Sequence, residues 1–112
     1  MTTTTITQPQ INFDELRASA DTACGLLRAM ANTDRLMLLC QLSLGEKSVG
    51  ELEAQLGIHQ PTLSQQLTVL REANLVATRR EGKSIIYSIS SQAAMAVMQV
   101  LHQQICTQYT NA

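Results

Sequence analysis

The most regular hydrophobic pattern in this chain is a helical spacing of leucines that begins shortly after Gly57. Three leucines at positions i, i+4 and i+7 predict one buried face of a helix: Leu63, Leu67 and Leu70. Outside that face are short, uncharged side chains that donate and accept hydrogen bonds: Ser64, Gln65 and Thr68. Such side chains can read base edges in the major groove of DNA. A surface helix with a polar face has the same pattern, so the helix alone leaves both interpretations open.

Alternating polar and apolar residues follow this helix and predict a β-hairpin with strands over residues 75–80 and 84–89. Gly82 lies in the turn, where a tight hairpin needs a positive φ. The turn is surrounded by three basic residues: Arg79, Arg80 and Lys83. A cationic loop beside the helix that carries Leu63, Leu67 and Leu70, called the reading helix below, is suited to contact DNA phosphates or the minor groove. Basic hairpin turns are also common as solvated loops. Together, the helix and the hairpin favour a winged helix-turn-helix that binds DNA.

Apolar stripes and capping residues predict four further helices. The first is expected over residues 14–31 and the last over residues 91–109. Asn32 or Thr33 can cap the second helix, and Ser48 with Glu51 forms the pattern of a capping box for the third. Gly57 can end the third helix in the left-handed conformation. The predicted fold is mainly α with a β-hairpin wing, in the order α1-α2-α3-α4-β-β-α5.

The charges are distributed unevenly along the 112 residues, whose net charge is −1. Residues 60–90 have a net charge of +2, residues 1–59 have a net charge of −3, and residues 91–112 contain no charged side chain. The basic segment therefore coincides with the expected DNA face, and a dimer would present it twice. The negative net charge argues against a protein that binds polyanions along their length without specificity.

The length allows one domain with one modest core. This domain is expected over residues 13–112, after a disordered, threonine-rich tail over residues 1–12. No targeting signal and no stretch long enough to span a bilayer are visible, so a cytoplasmic location without a membrane partner is expected. Free thiols are the default there. We predict no cofactor and no resident metal.

The first and last helices are more apolar than one small domain can bury. The last helix has no charged residue and carries one apolar stripe: Ala94, Met98, Leu101 and Ile105. A second subunit would cover both helices. A two-fold homodimer through α1 and α5 would also match operator DNA with an imperfect palindrome, one helical turn between half-sites. The alternative is a last helix packed entirely against its own core.

Two stretches carry a family resemblance: L-L-R-A-M-A-N-T-D-R-L-M-L-L-C and S-V-G-E-L-E-A-Q-L-G-I-H-Q-P-T-L-S-Q-Q-L-T-V-L-R-E-A-N-L-V. Over residues 14–110 the chain resembles the ArsR/SmtB family of winged-helix repressors. Many members have histidine where Gln66 stands and proline where Asp34 stands, and the first difference alters an expected DNA contact. The DNA-contacting residues of the reading helix are expected at or near its N-terminal end: Gln60, Thr62, Ser64, Gln65 and Gln66.

The resemblance also bears on what the protein senses. Arsenic-type members carry a cysteine pair in the third helix, whereas residues 51–54 here contain no thiol. Zinc-type members place Asp, His and Glu ligands along the last helix, where this chain has only His102. Cys40 and Cys106 are similar in placement to the cysteines of the sulfide- and persulfide-sensing branch. That resemblance implies a repressor that binds operator DNA when reduced and releases it when reactive sulfur or an oxidant links the two thiols.

Other interpretations of the cysteines stay open. A buried cysteine is often only a small hydrophobe. Cys24 is expected in the core, with a peroxide-sensitive extra thiol and a third ligand for a soft metal as the alternatives. A metal-sensing repressor could use Cys40 and Cys106, with Cys24 or His102 as a further ligand for a soft ion. A small thiol enzyme is the least supported alternative because the sequence shows no nucleophile loop, paired base or glycine-rich phosphate cradle. The protein is therefore predicted not to be an enzyme.

Overall fold

The computed structural model describes residues 12–106 and confirms a mainly helical fold with a small antiparallel sheet. Within these residues the helices are α1 (Phe13–Met30), α2 (Thr33–Ser43), α3 (Val49–Leu56), α4 (Thr62–Glu72) and α5 (Gln92–Leu101). The strands are β1 (Lys47–Ser48), β2 (Val76–Glu81) and β3 (Ser84–Ile89). The order of helices matches the predicted order. The predicted tail lies outside the described residues except for Asn12, which caps α1.

The helix caps follow local rules that the sequence already shows. The Asn12 side chain accepts hydrogen bonds from two backbone N–H groups of α1, and Asn32 accepts one from α2. At α3 the Ser48 hydroxyl accepts from the Glu51 N–H at 3.1 Å, while the Glu51 carboxylate accepts from the Ser48 N–H at 2.8 Å. Gly57 ends α3 with a φ of 68°. These contacts confirm the predicted capping box and the left-handed glycine.

The sheet has three strands in the order β1-β3-β2, and both pairings are antiparallel. The hairpin of β2 and β3 turns at Gly82, whose φ is 62°, as predicted. Glu81 belongs to β2 rather than to the turn, because it pairs with Ser84. The prediction missed β1 altogether. A strand of two residues is too short to show the alternation by which strands are recognised.

The core lies where α2, α3 and α4 meet the sheet. Six leucines have less than 2% of their surface exposed: Leu38, Leu39, Leu52, Leu63, Leu67 and Leu70. Three of these are the leucines of α4, so the predicted buried face of that helix is confirmed. Helix α2 is central to the fold, since it contacts α1, α3, α4, α5 and the sheet. It therefore connects the reading helix with the first and last helices.

The last predicted helix changes from α-helical to π-helical hydrogen bonding near its end. Helix α5 ends at Leu101 and continues as one π-helical turn, His102–Cys106, while residues 107–109 of the predicted helix lie outside the described residues. Along its stripe Ala94 and Met98 are buried, whereas Ile105 is 53% exposed. No helix among the described residues is long and apolar enough to cross a membrane.

Candidate nucleic-acid interface and thiol cleft

Helix α4 presents a polar, solvent-exposed surface because its leucine face holds it in the core. Thr62, Ser64 and Gln65 are exposed on this helix. That they contact base edges stays a prediction. Gln60 lies just before the helix and caps it, because its side-chain oxygen accepts from the Ser64 N–H at 3.1 Å and from the Ser64 hydroxyl at 2.6 Å. This local bond satisfies one of the first free N–H groups of α4. The amide nitrogen of Gln60 can still donate to DNA.

Gln66 differs from the other predicted contacts on the reading helix. Its side chain is half-buried, and its oxygen accepts a hydrogen bond from the Arg35 guanidinium at 2.8 Å. Arg35 lies in the first turn of α2, so this bond joins α2 to α4. A role for Gln66 in reading bases stays a prediction. The structure gives the side chain an internal partner instead.

The wing, formed by β2 and β3, has one basic side chain in internal ion pairs and two that are exposed to solvent. Arg79 pairs with Glu46, which precedes β1, and with Glu81 on its own strand at 2.7 Å. The hydrogen bond from Arg79 lowers the pKa of Glu46 from its usual value of 4.5, and the same bond raises the pKa of Arg79. Among the described residues, neither Arg80 nor Lys83 takes part in an ion pair, and both are exposed. These two cations are available to phosphates.

A small apolar cleft separates α2 from α5. Its volume is about 270 Å³, and Cys40 lines it together with Leu36, Met98, Leu101 and His102. Cys40 and Leu36 are both half-buried. Cys106 is the last residue of the π-helical turn that follows α5, and its side chain lies outside the described part of the chain.

Cys24 does not lie in the core, so that prediction is wrong. It is exposed on α1, because much of that helix faces solvent in the single chain and only Ala29 and Met30 at its end are buried. The prediction depended only on the general tendency of cysteine to be buried as a small hydrophobe. Within the described residues, no group of three or more histidine, cysteine and acidic side chains could hold a metal ion.

Comparison with known proteins assigns the chain to a family. Residues 32–78, which include α2, α3 and α4, match the family described as bacterial regulatory protein, arsR family. The biofilm growth-associated repressor of Xylella fastidiosa is 44% identical over 95% of this chain and 93% of its own length. This chain belongs to the ArsR family. Its relatives are DNA-binding transcriptional regulators rather than enzymes.

Solved structures of ArsR-type regulators agree with this assignment. The transcriptional repressor BigR from Xylella fastidiosa superposes with a TM-score of 0.77 at 44% identity, over 86% of this chain and 98% of that chain. Reduced HlyU from Vibrio cholerae has a TM-score of 0.80 at 42% identity, over 82% of this chain and 97% of that chain. HlyU from that organism is named a transcriptional activator. The winged helix-turn-helix is therefore confirmed.

The exposed apolar residues of this ArsR-family chain agree with dimerisation. Phe13 and Leu16 on α1 are 74% and 53% exposed, and Val100 at the end of α5 is 55% exposed. A homodimeric winged helix-turn-helix domain from Mycobacterium bovis has a TM-score of 0.72 at 27% identity, over 93% of this chain and 94% of that chain. Large apolar side chains in solvent on the two predicted interface helices are typical of a surface that a second subunit covers.

Two charged residues of the interface were missed by sequence reasoning. Arg35 reaches the reading helix from α2, and Glu46 holds the wing. A signal for Arg35 was present, because an arginine in the first turn of a helix lies at the end where the helix dipole disfavours cations. Such a residue is expected to have a partner elsewhere. No comparable signal marks Glu46, which lies in an ordinary polar loop.

Proposed function

We propose that this ArsR-family protein is a dithiol-switched transcriptional repressor. The reduced homodimer binds an imperfectly palindromic operator in the cytoplasm, with the exposed residues of α4 on the bases and with Arg80 and Lys83 on phosphates. A link between Cys40 and Cys106, made by reactive sulfur or by another oxidant, releases the DNA. The observation that carries the proposal is the position of Cys40 in the apolar cleft between α2 and α5.

The position of the cleft explains how a thiol could affect DNA binding. Cys40 belongs to α2, which contacts the reading helix on one side and α5 on another. Cys106 ends the turn that continues α5. A covalent link between them would draw the end of α5 toward α2. Because α5 also belongs to the proposed dimer interface, the spacing of the two reading helices would change and no longer match the operator.

The chemistry balances with a persulfide as the oxidant. One cysteine thiolate attacks the outer sulfur of the persulfide, the donor leaves as a thiolate, and a cysteine persulfide forms. The second thiolate then attacks the inner sulfur, a disulfide forms, and hydrosulfide leaves with the two electrons that the cysteines lost. If both cysteines carry an added sulfur, the same displacement yields a trisulfide and one hydrosulfide. The longer bridge relaxes the requirement that the Cα atoms lie within about 7 Å.

We take a small, weakly polar sulfur species as the effector. The mainly apolar lining of the cleft of about 270 Å³ beside Cys40 supports this choice. A soft metal ion bound by Cys40 and Cys106 is the alternative effector. Metal analysis of protein purified under reducing conditions separates the two, because the dithiol mechanism requires no bound metal in the DNA-binding state.

The test compares three cysteine variants in a gel-shift assay with and without polysulfide. Treatment of the unaltered protein should lower operator affinity at least tenfold, about 1.4 kcal/mol of coupling. The linked peptide pair that contains both thiols should lose the mass of two hydrogens for a disulfide, and should also gain the mass of one sulfur for a trisulfide. Cys40→Ser and Cys106→Ser should bind DNA and lose the response. Cys24→Ser is the matched control and should keep both. Release of DNA from treated Cys106→Ser protein would exclude the dithiol mechanism.

A further inference from the structure

Arg35 makes three hydrogen bonds that join three helices. Its Nε donates to the carbonyl oxygen of Ala29 at 2.5 Å, and one terminal nitrogen donates to the carbonyl oxygen of Arg28 at 3.1 Å. The other terminal nitrogen donates to the side-chain oxygen of Gln66 at 2.8 Å. The first two acceptors lie in the last turn of α1, the arginine belongs to α2, and Gln66 lies on the reading helix α4.

These bonds satisfy backbone groups that helix geometry leaves open. The last four carbonyl groups of a helix have no partner within it. In α1, the carbonyl groups of residues 27 and 28 accept from the Ala31 N–H, and that of Met30 accepts from the Asn32 N–H. The Ala29 carbonyl is left for Arg35. The guanidinium charge also lies at the negative end of the α1 dipole, which stabilises a cation there.

The planar guanidinium fixes directions as well as charge. Its donors point outward in a rigid fork, so the bonds to α1 determine where the remaining nitrogen points. Gln66 meets that nitrogen from α4, immediately before the fully anchored Leu67. Both side chains are half-buried, so water competes less for this charge-assisted bond than it would at the surface. The hydrogen bonds of Arg35 thereby fix the position of α4 relative to the end of α1.

We propose that Arg35 is a positioning residue that sets the offset between the dimerisation helix α1 and the reading helix α4, with Gln66 as its acceptor. This inference rests on the dimeric operator binding proposed above and does not depend on the thiols. In a dimer through α1 and α5, that offset determines the distance between the two reading helices. Arg35 therefore controls which half-site spacing the protein accepts, and Gln66 acts through Arg35 rather than by reading a base.

The experiment measures spacing selectivity under reducing conditions. The probes are palindromic duplexes selected from a random library by the unaltered protein, and the same duplexes with one base pair inserted or removed at the centre. The variants are Gln66→Met, which removes the acceptor and keeps the α1 cap, Gln66→Glu, which keeps an acceptor oxygen, and Arg35→Met. Dissociation constants on each probe give a selectivity ratio within each variant, so a uniform electrostatic change cancels.

The unaltered protein should prefer the selected spacing by roughly tenfold, about 1.4 kcal/mol. That ratio should fall below about threefold in Gln66→Met and in Arg35→Met, and the double variant should be no worse than either single one. Gln66→Glu should retain the ratio. Base preference at each operator position should be unchanged in Gln66→Met, since a positioning role moves the whole helix without altering its base contacts.

Three results would overturn the inference. A change of preference at a single base pair in Gln66→Met, also seen in Gln66→Glu, would make Gln66 a base-reading residue. Additive effects of the two methionine substitutions would mean that the residues act independently. Full spacing selectivity in Gln66→Met would show that the bond positions nothing. Sedimentation of the unaltered protein as a monomer would instead contradict the dimeric function itself, which is a separate failure.

Discussion

The two wing arginines should contribute unequally to DNA binding, although they are neighbours on the same strand. The Arg79 guanidinium donates to Glu81 on its own strand and to Glu46, and the second bond reaches across the central strand β3 to the loop before β1. Arg80 has no such partner among the described residues and is exposed. Arg80→Ala should therefore remove a phosphate contact, whereas Arg79→Ala should mainly remove the tether that holds the wing.

The expected size follows from counterion release. Each phosphate contact adds about 0.9 to the slope of log K against log salt, so loss of one contact in each protomer should lower the slope of the dimer by about 1.8. Between 50 and 200 mM salt, the affinity of the unaltered protein should then fall about twelvefold more than that of Arg80→Ala. Arg79→Ala should change the slope by less than about half as much, because its charge is already shared with two carboxylates.

Removing the internal partner should have the opposite effect. Glu46→Gln takes away the carboxylate whose pKa the Arg79 bond lowers. Arg79 then keeps only its pair with Glu81 on the same strand, and more of its charge can meet DNA. Its salt slope should rise, while operator and random duplexes gain affinity to a similar degree because phosphates carry no sequence information. Glu15→Gln on α1 makes the same change in net charge away from the wing and is the matched control.

The assay is fluorescence anisotropy on selected and random duplexes over a salt series. Circular dichroism of each variant establishes that the fold is retained. Equal slopes for Arg79→Ala and Arg80→Ala would refute the reasoning, since they would mean that the ion pairs do not withhold Arg79. An unchanged slope in Glu46→Gln, relative to the Glu15→Gln control, would lead to the same conclusion.

Four further outcomes are expected. Leu63→Ala should lower the free energy of unfolding by about 2–5 kcal/mol in urea denaturation, because this fully buried leucine anchors the reading helix. Ser48→Ala should lower it by about 1 kcal/mol by removing the α3 cap. The hydrogen bond from the Ser48 N–H lowers the pKa of Glu51 from 4.5. The stability that the ionised Glu51 carboxylate contributes is therefore present above pH 4.5 and is lost as the pH falls through the folded-state pKa. Unfolding of Glu51→Gln should therefore depend less on pH in that range. Gln65→Ala should weaken operator binding by about 1–3 kcal/mol and relax one base preference, and unchanged operator affinity would contradict the assigned register of α4.

The residues that act locally were predictable from the sequence. The capping box of Ser48 and Glu51, the left-handed Gly57 and the turn at Gly82 depend on a few neighbouring residues, and the structure has all of them as predicted. The leucines of α4 were predictable for the same reason, since periodicity shows which face a helix buries. The position of Cys24 was predicted wrongly, because the general tendency of cysteine to be buried does not show whether another element covers that part of α1.

Features that join distant parts of the chain were decided only by the tertiary structure. Strand β1 exists because β3 passes beside it, and two residues have no strand pattern of their own. The pair of Arg79 and Glu46 spans 33 positions, and the bond from Arg35 to Gln66 spans 31. Each side chain has many possible partners until the packing of the core brings a few of them within hydrogen-bonding distance. Composition and local pattern therefore identified a DNA-binding winged helix, whereas close packing determined which charged side chains form internal pairs and which stay exposed.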